Sequence, residues 1–490
     1  MNVHPRFAVD YMINMEKQFL LCCLLSLSTL AFCSCATHTV REGTVLPRAE
    51  ISPVFVQRPD LADVPGHWDY AWWESFGDET LSRLIEEGLA SNFNLQQFAA
   101  RIEKAAALAR QAGSRLWPGI DLTAGYEREE GGGGAAPSPD SAVEKTDLGV
   151  LLRWEADFWG RLSSARKARE FEVEATVEDW LDAGLLLSSA IAENYFQIKE
   201  HRRQLEVIRA QIVLNESLLQ LTRLRFGQGQ SSIVAVLQQR ERLNSSKAGV
   251  PDAEARLGQL EYAMDVLLGR PPGSGNYRLS GELAVLPPLP EVGIPAALLQ
   301  RRPDLRAARQ RIMAVDYWVA EAVARQFPNL TLGGRVDWQG DPDFGDALSS
   351  LFAGLAAPLF DAGERRSEVD VRKAELEDAL ASYSNNFLSA LLEVESALLV
   401  ERKLEERLAL VLEQLSTARR LLAETRNRFS QGLTDYLPVI TSLEIVQDLE
   451  REVVNNRRNV LSSRVALHRA LGGPMKTPSS IRISSKSNAY

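Results

Sequence analysis

The sequence predicts an α+β membrane protein in which four β-strands per chain are continued by very long α-helices. Three observations lead to this class. The stretches 161–226 and 364–429 contain 66 residues each, with no proline and only one glycine between them, and these two residue types most often interrupt helices. Four shorter segments alternate apolar and polar residues with the period of a strand. Both features occur in each half of the chain, which indicates an internal duplication.

Composition excludes several other classes of protein. The chain has 490 residues and is 45% hydrophobic and 24% charged, which is ordinary for an ordered protein. Its net charge of −10 argues against nucleic-acid binding, because no segment concentrates lysine and arginine as a phosphate backbone requires. His67, His201 and His468 are scattered, and no serine lies in a nucleophile elbow. The sequence therefore predicts neither an enzyme nor a bound metal or cofactor.

The N-terminal region has the features of an export signal. All four cysteines lie within the first 35 residues, so the rest of the chain has no thiol for a disulfide. Lys17 precedes an apolar run that begins at Phe19. This run is too short to span a bilayer but suits a signal-peptide core. We therefore expect residues 1–34 to be a signal peptide, with Met12 or Met15 as the true translation start.

Cys35 is the expected lipid anchor. The stretch from Phe32 to Cys35 resembles a bacterial lipoprotein cleavage box, with the small Ser34 directly before the cysteine. Two alternatives stay open at this stage, namely modification of Cys33 and secretion without any lipid. Ala36 stands where lipoproteins retained in the inner membrane typically carry aspartate, which argues against retention there.

The first repeat is expected over residues 72–270. The segment 35–71 before it is irregular and contains proline, so we expect it to lie extended over another part of the molecule. A helix begins near Trp72, and Trp117-Pro118 ends it. A β-hairpin over 119–158 follows, with a long loop over 128–146 between its strands.

The strands of this hairpin separate two kinds of side chain. Successive residues of a strand point to opposite faces, so alternation in the sequence assigns each residue to a face. The apolar set is Ile120, Leu122, Leu148, Val150 and Leu152, and the polar set is Asp121, Glu127, Arg153 and Glu155. We expect the first set to face lipid and the second set to face water.

The second repeat is expected over residues 296–473. A linker at 271–295 precedes it, and a C-terminal tail at 474–490 follows it. Phe327-Pro328 ends its first helix as Trp117-Pro118 does in the first repeat. A second hairpin is expected over 329–358. In its first strand, the third of the chain, apolar and polar residues alternate. The fourth strand, Leu351 to Ala357, is more uniformly apolar and follows a loop over 339–350.

Each long helix ends in the sequence Arg-Phe-x-x-Gly. Arg225 and Gly229 recur 203 positions later as Arg428 and Gly432. Glycine at this place suits the left-handed conformation that ends many helices. The long helices are expected over 161–226 and 364–429, and the return helices over 233–268 and 435–471. The two hairpins of helices therefore share one length.

Four strands cannot form a membrane-spanning barrel by themselves. Each segment has the length that a tilted strand needs to cross a bilayer. The smallest barrels have about eight strands, and open sheet edges are not tolerated in lipid. Strands must therefore come from several copies of the chain. At ~1.5 Å per residue each long helix would extend roughly 100 Å, so the paired helices are expected to form a hollow cylinder that continues the barrel.

Several motifs in the mature chain are jointly specific. They are Trp72-Trp73 with Phe76 and Asp78, Trp154-Glu155-Ala156-Asp157-Phe158-Trp159-Gly160-Arg161, Leu298 to Arg306, Pro358-Leu359-Phe360-Asp361-Ala362-Gly363, and the paired Arg-Phe-x-x-Gly turns. Together they resemble the outer-membrane factors, the TolC-like channels of tripartite efflux pumps and type I secretion systems in Gram-negative bacteria. The resemblance covers essentially the whole mature chain and is strongest to the lipoprotein branch that serves RND-type pumps.

This resemblance implies a homotrimer whose 12-stranded outer-membrane β-barrel is continued by an α-helical coiled-coil tunnel in the periplasm. It implies three further partners: a periplasmic adaptor protein, an inner-membrane RND transporter and outer-membrane lipid. The expected activity is passive conduction of small molecules from the pump to the exterior. One alternative is the channel of a type I protein secretion system. A remote alternative is a coiled-coil protein without a pore, which would have no use for four alternating strands.

The resemblance also assigns roles at the periplasmic tip. Arg225, Gly229, Arg428 and Gly432 would contact the adaptor, although helix capping explains the two arginines equally well. Family members often carry an acidic residue on the helix after the turn, and this sequence lacks it. Asp435 and Tyr436 are then the candidate gate residues, with capping of the return helix as the alternative role of Asp435.

Overall fold

A computed structural model describes residues 38–40, 45–49, 51–57, 71–130, 142–277, 279, 282–290, 292–340 and 347–473. Its helices are α1 (Glu79–Ser91), α2 (Phe93–Ser114), α3 (Arg161–Gly227), α4 (Ile233–Leu267), α5 (Leu298–Arg301), α6 (Pro303–Ala324), α7 (Glu364–Ser430) and α8 (Leu437–Ala470). Its strands are β1 (Gly119–Glu130), β2 (Ala142–Ala156), β3 (Asn329–Gly340) and β4 (Ala347–Ala356). Short 3₁₀ turns cover Trp72–Phe76 and Pro295–Ala297. None of these helices has both the length and the apolar composition that crossing a bilayer requires.

The chain forms two compact units. The first takes the residues up to 43 together with 110–168 and 313–376, and it contains the sheet. The second takes residues 44–109, 169–312 and 377–490, and its described part is mainly helical. The expected signal peptide, Cys35 and the C-terminal tail lie outside the described residues.

In the first unit the four strands form one antiparallel sheet in the order β1-β2-β3-β4. The register pairs Ile120 with Leu152, Leu152 with Gly334, and Gly334 with Leu351. Directly paired residues lie on the same face of a sheet. The register therefore brings most apolar positions of the four strands onto one continuous face, whereas Leu151, Leu348 and Phe352 lie on the opposite face. That face carries Ile120, Leu122, Leu148, Val150, Leu152, Trp154, Leu330, Leu332, Val336, Trp338, Leu351 and Leu355.

Both hairpins are longer than side-chain alternation predicts. β1 continues to Glu130 and β2 begins at Ala142, so the expected loop over 128–146 is too long. Likewise β4 begins at Ala347, inside the loop expected over 339–350. An antiparallel ladder is made by backbone N–H and C=O groups. It therefore runs past the ends of the alternating segments into polar and small residues.

The two long helices begin alike, after a glycine of positive φ. Gly160 has φ 72° before α3, and Gly363 has φ 90° before α7. Asp157 caps α3, because its carboxylate accepts hydrogen bonds from the N–H groups of Leu162 and Ser163 at 2.9 and 2.8 Å. Trp159 stacks on Phe327 with 4.8 Å between the ring centroids. These contacts hold the short connection between β2 and α3 in one conformation.

The prediction of one helix from near Trp72 to Trp117 is wrong, because this segment forms a 3₁₀ turn and two separate helices, α1 and α2. Asp78 caps α1 after the 3₁₀ turn, and Asn92 separates α1 from α2. The Asn92 Oδ1 atom accepts from the N–H groups of Asn94 and Leu95 at 2.9 and 3.2 Å. Asparagine competes for backbone hydrogen bonds in this way and so favours helix starts over helix interiors. The local cap prevails here over the helical spacing of the apolar residues.

The second long helix, α7, buries a seam of apolar residues that recur every three or four positions. The buried members are Leu376, Leu380, Tyr383, Phe387, Ala390 and Val394 and, after a break in this spacing, Val411, Leu415, Ala418 and Leu422. In the second unit, α6 begins at Pro303 with Asp304 in its first turn. Arg302 is 9% exposed and binds Asp304, Glu393 and the Ala470 carbonyl. The charged run before α6 is therefore part of the folded core of this unit.

Candidate functional site

The candidate site comprises the two turns that end the long helices, which lie in the second unit. Gly229 has φ 71° and Gly432 has φ 77°. The N–H of Gln230 donates to the Arg225 carbonyl at 2.8 Å, and the N–H of Leu433 donates to the Arg428 carbonyl at 2.9 Å. A hydrogen bond across five residues next to a left-handed glycine is the Schellman ending of a helix. The repeated sequence thus forms the same backbone turn twice.

The side chain of Arg225 joins the first turn to the second. Its Nη1 atom donates to the Phe429 carbonyl at 2.7 Å, and its guanidinium carbon lies 4.1 Å from the centroid of the Phe429 ring. Phe429 is 7% exposed in a core cluster that includes Leu218 of α3 and Tyr436. Arg225 therefore binds a carbonyl of the second turn, which the capping explanation did not anticipate.

Arg428 occupies the same place in the second repeat but has a different environment. Its side chain is exposed. Among the residues that the structure describes, no hydrogen bond or ion pair is found for its guanidinium group. Phe226, the counterpart of Phe429, is 44% exposed. The two turns share a backbone but not a set of side-chain contacts.

The two candidate gate residues are adjacent but differ in exposure. Tyr436 is 6% exposed, and its ring centroid lies 5.1 Å from that of Phe429. Its hydroxyl donates to Gln239 Oε1 at 2.8 Å, and burial raises the pKa of this hydroxyl. Asp435 is exposed. Because Tyr436 is buried within the protomer, Asp435 is the better placed of the two to meet solvent at the turn.

The alternative role of Asp435, capping the return helix, is wrong. The residue at the N-cap position of α8 is Tyr436, and no side chain makes a capping hydrogen bond there. Pro438 occupies the first turn of α8, where its missing N–H group removes one donor that a cap would otherwise satisfy. The expected gate at Asp435 stays a prediction.

A buried polar network lies beneath the first turn, and sequence reasoning missed it. Asn215 and Gln239 are both fully buried, and Gln239 Nε2 donates to the Asn215 carbonyl at 3.0 Å. Asn215 in turn donates to Ser246 Oγ at 2.9 Å. Near it, Arg242 of α4 pairs with Glu444 of α8, and burial lowers the pKa of Arg242. The only sequence signal was the presence of polar residues at seam positions of two paired helices.

The sheet of the first unit is a second candidate site, for contact with lipid. On its apolar face Ile120 and Leu122 are each 70% exposed, and Leu351 is 94% exposed. On the opposite face Glu155 accepts from Arg161 Nη2 at 2.7 Å. An exposed apolar surface of this extent marks a contact with a partner or a membrane. Within the described residues, no group of His, Cys, Asp and Glu side chains could hold a metal ion.

This architecture matches a known family of proteins. The family model for outer membrane efflux proteins matches residues 84–270 and 294–473. The chain is 28% identical over 470 residues to the pyoverdine export outer membrane protein OpmQ of Pseudomonas putida, a match that covers 94% of this chain and 98% of OpmQ. It is 25% identical over 431 residues to the probable outer membrane lipoprotein SilC of Salmonella typhimurium, covering 84% and 89% of the two chains.

The fold is also that of a solved channel. The structure of the outer-membrane channel OprN superposes with a TM-score of 0.81 at 26% identity, covering 89% of this chain and 99% of OprN. The predicted class, a four-stranded sheet continued by long helices, is therefore confirmed. The matched segments cover the first repeat from residue 84 onward and the whole second repeat, and the chain belongs to the outer membrane efflux protein family of channel proteins.

Proposed function

We propose that this chain is the outer-membrane exit duct of a tripartite RND-type efflux pump and passively conducts small molecules to the exterior. The observation that carries the proposal is the apolar face that runs in register across all four strands, in a chain that continues into two 67-residue helices. A lipid-facing sheet and a long helical wall are what a duct through the outer membrane and the periplasm requires.

The outer edges of the sheet support assembly as a homotrimer. Within the described residues, β1 pairs only with β2 and β4 only with β3, so each has one edge without a partner. An unpaired backbone group costs several kcal/mol in hydrocarbon, and lipid-exposed sheet edges do not occur. Pairing β4 of one copy with β1 of the next removes every edge. Three copies give twelve strands, above the minimum of about eight for a membrane barrel.

In this arrangement the apolar face of the sheet meets lipid and the opposite face lines a water-filled pore. Arg153, Glu155 and Asp121 then face the pore. Charged residues on that face are solvated, so their presence does not oppose insertion. The substrates conducted would be set by the inner-membrane transporter, because a wide duct discriminates little between small molecules.

The lipid anchor at Cys35 is part of the same proposal. Replacing Cys35 by Ala should abolish lipid labelling of the mature chain, whereas barrel insertion should persist because the apolar face of the sheet binds the membrane independently. Intact-mass analysis of the mature chain reads the modification directly. An unmodified Cys35, or a mature start at another residue, would contradict the anchor.

The partners follow from the two ends of the duct. Arg225, Gly229, Arg428 and Gly432 form the turns that would meet a periplasmic adaptor, and the adaptor would connect them to an inner-membrane RND transporter. The similarity to efflux proteins favours this reading over a type I secretion channel. Asp435, exposed beside the second turn, is the residue proposed to gate the inner end.

Purification of the tagged native complex from cross-linked cells tests the proposal. We expect an adaptor and an RND transporter to co-purify with the wild-type chain. Gly432→Val is expected to lose both partners while keeping the trimer, because a β-branched residue is strained at φ 77°. Gly249→Val is the matched control, because Gly249 lies inside α4 and nothing lies within 4 Å of the carbon that the substitution adds. Recovery of an ATP-driven protein secretion complex would overturn the assignment to efflux.

A further inference from the structure

The two halves of the chain share one apolar pattern near the turns but differ in its burial. Phe226, Ile233 and Leu237 in the first repeat are 44%, 49% and 55% exposed. Their counterparts 203 positions later are Phe429, Tyr436 and Ile440, which are 7%, 6% and 8% exposed. The same apolar face of the helical hairpin is therefore buried in the second repeat and exposed in the first.

The residues that bury this face in the second repeat come from the first repeat. Leu218 of α3 and Ala235 of α4 belong to the same core cluster as Phe429, Tyr436 and Ile440, and they are 5% and 6% exposed. Arg225 completes the cover with its contacts to the ring and the carbonyl of Phe429. One face of the first hairpin thus packs on the opposite face of the second.

The second repeat carries a matching set of residues that stays exposed in the part of the chain that the structure describes. The counterparts of Leu218, Arg225 and Ala235 are Leu421, Arg428 and Pro438. Leu421 is 48% exposed, and Arg428 and Pro438 are also exposed. By contrast, the seam inside each hairpin is buried in both repeats, as Leu219 at 6% and Leu422 at 8% show. The two repeats therefore differ in burial on the outer faces of their hairpins and not in the seam between the two helices of each hairpin.

We propose that the Arg428 face of one copy, formed by Leu421, Arg428 and Pro438, packs on the Phe226 face of a second copy, formed by Phe226, Ile233 and Leu237. The guanidinium group of Arg428 lies over the ring of Phe226 and donates to its carbonyl, as Arg225 does to Phe429 within the chain. Arginine and phenylalanine both recur at these positions, so the donor, the ring and the acceptor are all present. This contact deepens the proposed trimer and rests on it.

A second copy fits these faces better than an unrelated partner. The chain already provides one example of the contact, in Arg225 and Phe429. Two different faces that complement each other make a head-to-tail contact, which closes into a ring when the rotation permits. The polar bond from Tyr436 to Gln239 is not repeated, because Ile233 and Ser442 occupy the equivalent positions. The contact between copies is thus more apolar than the contact within one copy.

Cross-linking of the purified, membrane-inserted protein tests the contact. The double variant Phe226→Cys with Arg428→Cys is treated with a short bis-maleimide, because an arginine reaches further than a disulfide permits. Both residues are exposed, so neither change removes a buried contact. We expect most of the monomer band to convert to dimer and trimer on a denaturing gel.

Three controls define the result. Each single variant should stay monomeric, which excludes bonds through the native cysteines. Phe226→Cys with Arg426→Cys should also stay monomeric, because Arg426 is exposed but lies two residues away on a different side of the helix. If the Arg426 pair cross-links as well as the Arg428 pair, the proposed contact is wrong.

Native mass spectrometry of the wild type separates the two levels of the proposal. A trimer whose double variant is not cross-linked between copies would overturn the Arg428–Phe226 contact and leave the trimer standing. A wild-type monomer in the same measurement would overturn both. A wild-type trimer, together with cross-linked dimer and trimer bands for the Arg428 pair alone, supports both the trimer and the Arg428–Phe226 contact.

Discussion

Arg225 of the first helical turn lies over the ring of Phe429 of the second turn, with 4.1 Å between the guanidinium carbon and the ring centroid. Its Nη1 atom also donates to the Phe429 carbonyl at 2.7 Å. One side chain therefore joins both repeats at the end of the long helices. This link ties the first turn to the second within one copy of the chain.

Replacing Arg225 by Ala is expected to loosen both turns. The lost hydrogen bond from a charged donor contributes about 1.5 to 3 kcal/mol, and the ring contact adds about 0.5 to 2 kcal/mol. Amide hydrogen exchange should accelerate around both glycines while the sheet stays protected. Arg223→Ala is the control, because Arg223 is exposed on the same helix. Equal exchange in the two variants would show that the Arg225 contact is not stabilising.

Replacing Tyr436 by Phe is expected to destabilise the helical unit. The change leaves the buried Gln239 Oε1 atom without its donor, and an unsatisfied buried acceptor costs about 1 to 3 kcal/mol. Thermal unfolding should shift to lower temperature, whereas single-channel conductance should be unchanged because Tyr436 is 6% exposed. Tyr262→Phe is a matched control, since Tyr262 is 53% exposed. A changed conductance with unchanged stability would instead assign Tyr436 to the gate.

Replacing Asp435 by Ala is expected to raise single-channel conductance in planar bilayers, because it removes the exposed carboxylate proposed to close the inner end. Stability should stay within about 0.5 kcal/mol of the wild type, as for other surface changes, because Asp435 caps no helix. Asp435→Glu keeps the charge and should conduct as the wild type does. Identical conductance of all three proteins would withdraw the gating role.

The register of the sheet predicts the labelling pattern of single cysteines in the membrane. Cysteines at Ile120, Leu122, Leu148, Val150 and Leu152 should react with a lipid-soluble maleimide, and cysteines at Asp121, Glu127, Arg153 and Glu155 with a water-soluble one. Paired positions such as Leu122 and Val150 should behave alike, because they share a face. Reactivity that ignores the two-residue period would show that the sheet does not separate lipid from water.

The parts of the fold that depend on local sequence were predictable, and the parts that depend on contacts between repeats were not. The long helices follow from the near absence of glycine and proline, and the strand faces follow from alternation. Arg225 and Arg428 share the pattern Thr-Arg-x-Arg-Phe-x-Gln-Gly, and this shared pattern does not distinguish the bound arginine from the exposed one. Asn92 was missed for a different reason: its capping hydrogen bonds compete with an apolar spacing that continues across it.

The burial of Tyr436 has the same origin as the asymmetry of the two arginines. Its partners are Phe429 from the preceding helix and Gln239 from the other repeat. A sequence shows that a tyrosine follows the turn, but only the packing of the two hairpins shows that its hydroxyl meets a buried amide. The candidate gate role of Tyr436 stays a prediction; it rested on the position of this residue in the chain, and position does not report exposure.

Asp182 on α3 predicts how the stability of the helical unit depends on pH. Burial, together with the neighbouring charge of Asp304, raises the pKa of Asp182 from 3.8 to about 6, although Arg302 opposes the shift. Asp179 and Glu393 also raise it, and Arg469 lines the same cavity. An acid whose pKa is higher in the folded state holds its proton more tightly there, so folding is favoured at low pH and this contribution is lost as the pH rises from about 4 to above 6.

Replacing Asp182 by Asn is expected to remove this dependence, because asparagine has the shape of the protonated acid and does not titrate. At pH 7 the variant should unfold at a higher temperature than the wild type, and at pH 4 the two should be similar. Subtracting the two melting curves across this range cancels the titration of groups that the substitution leaves unchanged. A difference that is the same at pH 4 and pH 7 would mean that the ionisation of Asp182 does not oppose folding, and that its neighbours Arg302 and Arg469 compensate its charge in full.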